Sequence, residues 1–259
     1  ETLRIDVPRD KYVNVKSASR QPAVSEDHGR KVYLWETTQL DHPKPDAPKK
    51  EAAATPPAPS VQLTTFKNWE EVGEWYRQLA EPRTAVTDAI RIKASELTKG
   101  LATSLDKKKA IYNYVSGKFR YIGVSFGAGR YQPHAAEEVL ANQYGDCKDK
   151  HTLLAALLKA AGIEAWPALI NAGRKLDADL PSPGQFNHVI TVLPEDKQFV
   201  WLDTTPEVAP YGMLQSVLRD QQALVIPAAG TPVLMTTPSD PPFPPAETLD
   251  ANAALSAEG

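Results

Sequence analysis

Residues 144–162 read YGDCKDKHTLLAALLKAAG, and they hold the only cysteine of a 259-residue chain, Cys147. The leucines and alanines that follow Cys147 predict a helix over 147–161, dense enough in apolar side chains to be the central buried one. Cys147 therefore falls in the first turn. There, unpaired backbone N–H groups and the positive end of the helix dipole stabilise a thiolate and can hold a developing oxyanion. Gly145 allows a tight entry and a close approach to the backbone. By itself the stretch fits equally a small apolar filler at a helix start. The surroundings decide.

Upstream, helical patterns dominate. Asn68 can cap a helix carrying Trp69, Val72, Trp75, Tyr76 and Leu79 on one face, with Glu71 placed for a capping box. Further helices are expected from Thr84 to Lys99, stopping at Gly100, and from Asp106 to Ser116, stopping at Gly117. KFRYIGVSF (118–126) reads as a strand and HAAEEVLAN (134–142) as a short helix. Downstream the pattern switches to short apolar runs, AWPALIN, NHVITVL, QFVWLDTT and ALVIPA, parted by proline, glycine and aspartate. Helices first and an antiparallel sheet second predict an α+β fold. Residues 1–41 favour strands and suit the C-terminal strands of an upstream β-rich domain. Residues 42–60 form a Pro/Ala-rich linker, 61–235 the core, and 236–259 a second Pro/Ala-rich tail or linker. ETLRIDVP at the start and ANAALSAEG at the end suggest a piece of a longer protein.

A net charge of −3 with dispersed lysines and arginines gives no reason to expect nucleic acid as a partner. No apolar run is long enough for a transmembrane segment. One cysteine excludes an internal disulfide and a multi-cysteine zinc site. Oligomeric state is not legible.

A cysteine nucleophile requires a base, and the base an orienting group. Of the five histidines, His28 and His42 lie in the upstream strands and linker, His134 precedes a short helix, and His151 sits on the helix of Cys147 at a spacing poorly suited to proton transfer. His188 stands out. NHVITVL and QFVWLD flank the polar PEDK, and a hairpin centred on Glu195 and Asp196 pairs 193 with 198 and thus His188 with Asp203. Directly opposite side chains lie about 4.5–5.5 Å apart at Cβ, which suits an imidazole held by a carboxylate. The same face carries Ile190, Val192, Phe199 and Trp201, expected to pack on the helix of Cys147.

Three ordered blocks, GRYQPHAAEEVLANQYGDCKDKHTLLAALLKAAGIEAWPALIN, FNHVITVL and WLDTT, resemble the transglutaminase-like cysteine superfamily, in particular bacterial multidomain proteins with a β-rich domain ahead of a transglutaminase-like core. The resemblance spans about 61–226. It implies a papain-like core and a triad of Cys147 as nucleophile, His188 as base and Asp203 as orienting partner. It implies a thiol-dependent enzyme forming a thioester from peptide or protein amides, of amidase, protease or transglutaminase type, with no cofactor and no metal. It also implies export, to the periplasm or beyond. Ile190 departs from the aromatic residue many members carry two positions after the histidine, which bears on crosslinking specificity more than on the triad. Gln143 and Tyr144 are candidate oxyanion donors. Two other readings stand beside this one: a zinc site of Cys147, His151 and His188, which lacks short paired-ligand spacing, and a non-catalytic binding scaffold in a multidomain envelope protein.

Overall fold

A computed structural model describes residues 2–17, 20–36, 61–123, 127–195, 198–243 and 250–251; the linker expected at 42–60 lies outside them. Strands β1 (Thr2–Pro8), β2 (Asn14–Ser17), β3 (Ala23–Asp27) and β4 (Arg30–Glu36) come first, and β1, β4 and β3 form an antiparallel sheet in that order. β2 pairs instead with β5 (Val61–Thr64), forming a ribbon that reaches the core: Asn14 donates to the carbonyl of Asp179 at 3.4 Å and Lys16 pairs with Asp177.

The helices begin where the capping chemistry directs. Asn68 accepts from the Glu71 amide at 2.8 Å to open α1 (Trp69–Ala80), Thr87 opens α2 (Asp88–Thr98), and Thr103 accepts from the Asp106 amide at 3.0 Å to open α3 (Ser104–Lys118). After α2 the chain turns at Gly100, whose φ of +77° is the left-handed conformation glycine favours. α3 does not stop at Gly117 as expected; it runs on to Lys118 because glycine tolerates the helix interior, and the stop comes at extended Phe119. Of the strand expected from KFRYIGVSF, the described residues form β6 (Arg120–Tyr121), while 124–126 lie outside them; α4 (Ala136–Asn142), β7 (Tyr144–Gly145) and α5 (Cys147–Ala160) follow. β6 and β7 pair in parallel.

α5 is buried from Lys148 to Leu158, so it is the axis of the core. Its Leu153, Leu154, Leu157 and Leu158 pack with Ile90 of α2, Ile111 and Val115 of α3 and Val139 of α4. Each such leucine contributes on the order of 1.5–3 kcal/mol by leaving water. The second half supplies β8 (Trp166–Ile170), β9 (His188–Glu195), β10 (Gln198–Leu202), β11 (Gln222–Val225) and β12 (Val233–Thr236), an antiparallel sheet in the order β10-β9-β8-β11-β12. The fold is α+β, with helices packed on an antiparallel sheet. Hydrogen bonding to the core continues just past β12, where Thr237 donates to the Leu218 carbonyl at 2.7 Å.

Two expectations about the β9–β10 hairpin change. Leu193 faces Val200 and Thr191 faces Leu202, so the register is two residues from the one expected, and the last pair before the turn is Glu195 with Gln198. Pro194 explains the difference. It lies past the end of β8, where Trp166 faces Val192, so no strand on that side calls for the N–H it lacks, and β9 continues through it. A shift of two preserves the facing of every side chain, whereas a shift of one would have reversed it. His188 and Asp203 therefore become diagonal neighbours on one face.

The second change concerns that face. Ile190, Val192 and Trp201 pack with Ala168, Ile170, Leu214 and Leu218, away from α5, and Phe199 is half exposed. α5 meets the other face, through Leu193, Leu202 and Thr191. The run VITVL is apolar on both sides, so its alternation carries no information about which side meets the helix.

Candidate active site

The entry to α5 is locked by short polar side chains. Gln143 ends α4 in the left-handed conformation (φ +59°), and its carbonyl accepts from the Arg120 amide at 3.1 Å. A Cβ on Gly145 would lie 2.6 Å from the Cβ of Asp149, so only glycine fits this approach. Asp146 accepts from the amides of Lys148 and Asp149 at 3.2 and 3.3 Å, while Asp149 accepts in return from the Asp146 amide at 3.2 Å. Asp149 also accepts from the His134 amide at 2.8 Å and lies 3.1 Å from His134 Nδ1, tying the preceding loop to the helix. Lys148 forms a buried ion pair with Asp146. Among the described residues, the amide of Cys147 itself has no acceptor, and this is the first-turn N–H left for an oxyanion.

Cys147 and His188 line one cleft of about 270 Å³, together with Tyr76, Tyr121, Tyr131 and Phe186. His188 is the first residue of β9, at the end of the sheet beside the start of α5. Its Nε2 lies 3.0 Å from Oδ2 of Asp203, which is 1% exposed. A carboxylate only accepts, so the proton belongs on Nε2 and Nδ1 remains for the cleft. Asp203 is held in turn: its Oδ1 accepts from the Thr205 amide and hydroxyl at 2.9 and 2.8 Å, and its carbonyl accepts from Tyr112 at 2.8 Å. Burial opposes the imidazolium of His188, but the hydrogen bonds and negative charge of Asp203 and Cys147 outweigh it and push its pKa up to about 10. Burial also raises the Asp203 carboxyl, and the bonds from His188 and Thr205 more than reverse this, leaving it below the usual range.

His151 takes no part. It is 2% exposed, its Nδ1 lies 2.7 Å from the Thr191 hydroxyl, and it borders a different cavity. Burial pushes its pKa down to about 3. Gln143 and Tyr144 do not line the cleft; Gln143 shapes the turn and Tyr144 is half exposed on β7. Among the described residues no three histidine, cysteine, aspartate or glutamate side chains gather as a metal site.

Three contributors escaped the sequence reading. Tyr121, with its hydroxyl against Cys147, lay in an expected strand; Tyr76 fell on an apolar helical stripe; Thr205 closes the WLDTT block that was quoted for Asp203. Burial first, then Cys147 and its acidic neighbours, push the Tyr121 pKa up to about 12, so it stays a donor at neutral pH.

Residues 92–182 match the family model described as the transglutaminase-like superfamily. That segment of the chain is transglutaminase-like. The matched segment contains Cys147 but ends before His188 and Asp203, so those two rest on geometry. A solved structure from Parabacteroides distasonis, called a "putative protease", superposes with a TM-score of 0.69 at 14% identity, covering 93% of this chain and 45% of that one. At that identity it shows the fold, and this chain spans less than half of that protein's length. A "putative cysteine protease" from Cytophaga hutchinsonii (TM-score 0.39, 15% identity, 79% of this chain and 65% of that one) and a structure called a TGase (0.33, 12%, 82% and 53%) overlap too loosely to carry an argument. No curated protein matches the chain.

Proposed function

We propose that this transglutaminase-like core is a thiol-dependent acyl-transfer enzyme acting on peptide or protein amides, with Cys147 as nucleophile, His188 as base and acid, and Asp203 as its orienting partner. The observation that carries the reading is the buried His188–Asp203 contact of 3.0 Å opening on the cleft of Cys147. With its pKa raised to about 10, His188 carries a proton at neutral pH beside Cys147, ready to be given to a leaving amine.

The thiolate attacks the amide carbon, the carbonyl π pair moves to oxygen, and the oxyanion is met by the Cys147 amide and the Tyr121 hydroxyl. Collapse breaks the C–N bond and the amine or ammonia leaves with the proton of His188, giving a thioester. Neutral His188 then takes a proton from water or a primary amine as it attacks, and the thiolate returns. Water as acceptor makes the enzyme an amidase or protease; an amine makes it a transglutaminase. Export to the periplasm belongs to the same proposal.

The test is incubation with glutamine-containing peptides, with and without a labelled primary amine, read by mass. Ammonia release means deamidation, label incorporation means transfer, and chain cleavage means proteolysis, each expected to vanish in Cys147→Ala. No change in any arm, with a thiol that alkylates like free cysteine, overturns the reading in favour of a binding scaffold.

A further inference from the structure

The cleft of Cys147 carries one cation for which the chemistry above has no use, Arg130. It lies on the loop between β6 and α4 and is exposed. The other charges of the cleft are compensated: Lys148 forms its buried ion pair with Asp146, and protonated His188 faces Asp203. Among the described residues no carboxylate pairs with Arg130, and no acceptor takes its N–H groups. One wall of the cleft therefore keeps a positive charge that the described residues do not balance.

What holds Arg130 is an aromatic stack. Its guanidinium carbon lies 5.1 Å from the centre of the Tyr131 ring, a cation–π contact. Tyr131 lines the same cleft and meets Trp75 of α1 edge-on at 5.2 Å, and Trp75 meets Phe66 in the same way at 5.9 Å. A ring beneath the guanidinium restrains it without consuming any of its N–H donors, whereas Lys148 spends its ammonium on an acid. The forked N–H pair stays available, and that fork matches the two oxygens of a carboxylate. Tyr121 and Phe186 line the cleft as well, and such aromatic walls strengthen an ion pair formed between them relative to one in open water.

We propose that Arg130 is a specificity-determining residue that receives a carboxylate of the substrate close to the amide attacked by Cys147, so that the preferred substrates are acidic peptides. An aspartate or glutamate side chain beside the reacting residue and the C-terminal carboxylate of a peptide offer the same partner to the fork. A lysine or arginine in that place meets a like charge and is rejected. The contact is made when the peptide binds and is kept while the amide reacts, so it acts on KM rather than on kcat. Arg130 takes no proton and leaves the steps at Cys147 and His188 as they are. The proposal rests on Cys147 being the nucleophile toward peptide amides.

The experiment compares kcat/KM for matched glutamine peptides that carry glutamate, alanine or lysine next to the reactive glutamine, each with a free and with an amidated C-terminus. Wild type is expected to favour an acidic peptide over its neutral counterpart by about tenfold, the scale of one hydrogen bond to a charged group, with the difference in KM and shrinking in high salt. A preference for glutamate that survives amidation assigns the side chain as the source of the carboxylate; a preference that follows the free C-terminus assigns the terminus. Arg130→Gln should abolish the preference, and Arg130→Glu should invert it toward the lysine peptide, a reversal that a merely structural role does not produce. Each ratio is taken within one protein, so a loss of folded enzyme cancels. Turnover without any charge preference in wild type, or a preference that both variants leave unchanged, overturns the role of Arg130 and leaves the thiol enzyme standing. No turnover of any peptide, with a pH profile of Cys147 alkylation by iodoacetamide like that of a free thiol, overturns both.

Discussion

His151 and His188 are imidazoles of one core, both largely withdrawn from water, and they sit on opposite sides of neutrality. His151, one turn into α5, lies 2.7 Å from the Thr191 hydroxyl, borders a cavity of about 330 Å³ and has its pKa pushed down to about 3. His188, at the mouth of β9, faces a locked carboxylate and has its pKa pushed up to about 10. Burial lowers both; the partner decides the outcome. A hydroxyl offers a hydrogen bond to either protonation state, while Asp203, fixed by Thr205, rewards only the charged one. The cleft is therefore where a proton can be exchanged, and the cavity is where a histidine is kept neutral.

The largest effect should come from removing the carboxylate. Asp203→Ala leaves His188 with burial opposed only by Cys147, closer to the condition of His151, and its pKa should fall. Turnover of a peptide amide should drop by about 10³–10⁴-fold, with the acid limb of Cys147 alkylation moving up in step. Asp203→Asn preserves a hydrogen bond without the charge and should lie nearer to the alanine variant than to wild type in both assays. Equal activity in Asn and wild type would mean that orientation, not charge, distinguishes the two sites.

Stability against pH separates the histidines with opposite signs. The folded pKa of His151 lies below that of the unfolded chain, so its contribution is complete above pH 6.5 and is lost as pH falls toward 3. Between pH 6.5 and 4.5 that loss amounts to about 2 kcal/mol, the unfolded histidine being already half protonated at the upper end. His151→Leu should flatten this acid slope in urea unfolding. For His188 the folded pKa is the higher one, so its contribution is complete below pH 6.5 and is lost as pH rises toward 10. His188→Ala should remove an alkaline slope and leave the acid one. The same slope in both variants would break the contrast.

These differences were only partly visible in the amino-acid order. α5 was legible because Gly145 and the leucine- and alanine-rich run after Cys147 specify a tight entry and a buried helix independently of context. The closeness of His188 and Asp203 was legible through the hairpin, and survived a register error because that error was even. Pro194 was read as turn because proline commonly is; its tolerance depends on where β8 ends, a tertiary fact. Tyr76 and Tyr121 look like any core or strand tyrosine until the cleft is assembled.

A smaller effect should follow at the turn that aims Cys147. Gly145→Ala forces a Cβ to 2.6 Å from that of Asp149, and the fixed helix start leaves little room to yield. Overpacking of this kind costs about 1–3 kcal/mol, and here the strain falls on the capping pair that positions the sulfur. Thiol reactivity should fall along with the melting temperature, which distinguishes this site from ordinary core positions.

The smallest effect is expected where the cavity of His151 is filled. Ala155 lies on α5 two turns beyond Cys147 and borders that cavity beside Ile163 and Ile226. Leucine at 155 adds apolar volume where space exists and suits a helix, so Ala155→Leu should stabilise the fold by about 0.5–1 kcal/mol, within the range typical of cavity filling. Because the change touches His151's surroundings and none of the groups around Cys147, the alkylation profile should superpose on wild type. A shifted profile would mean that the two ends of α5 move together, and that the neutrality of His151 is coupled to the charge of the cleft through the helix they share.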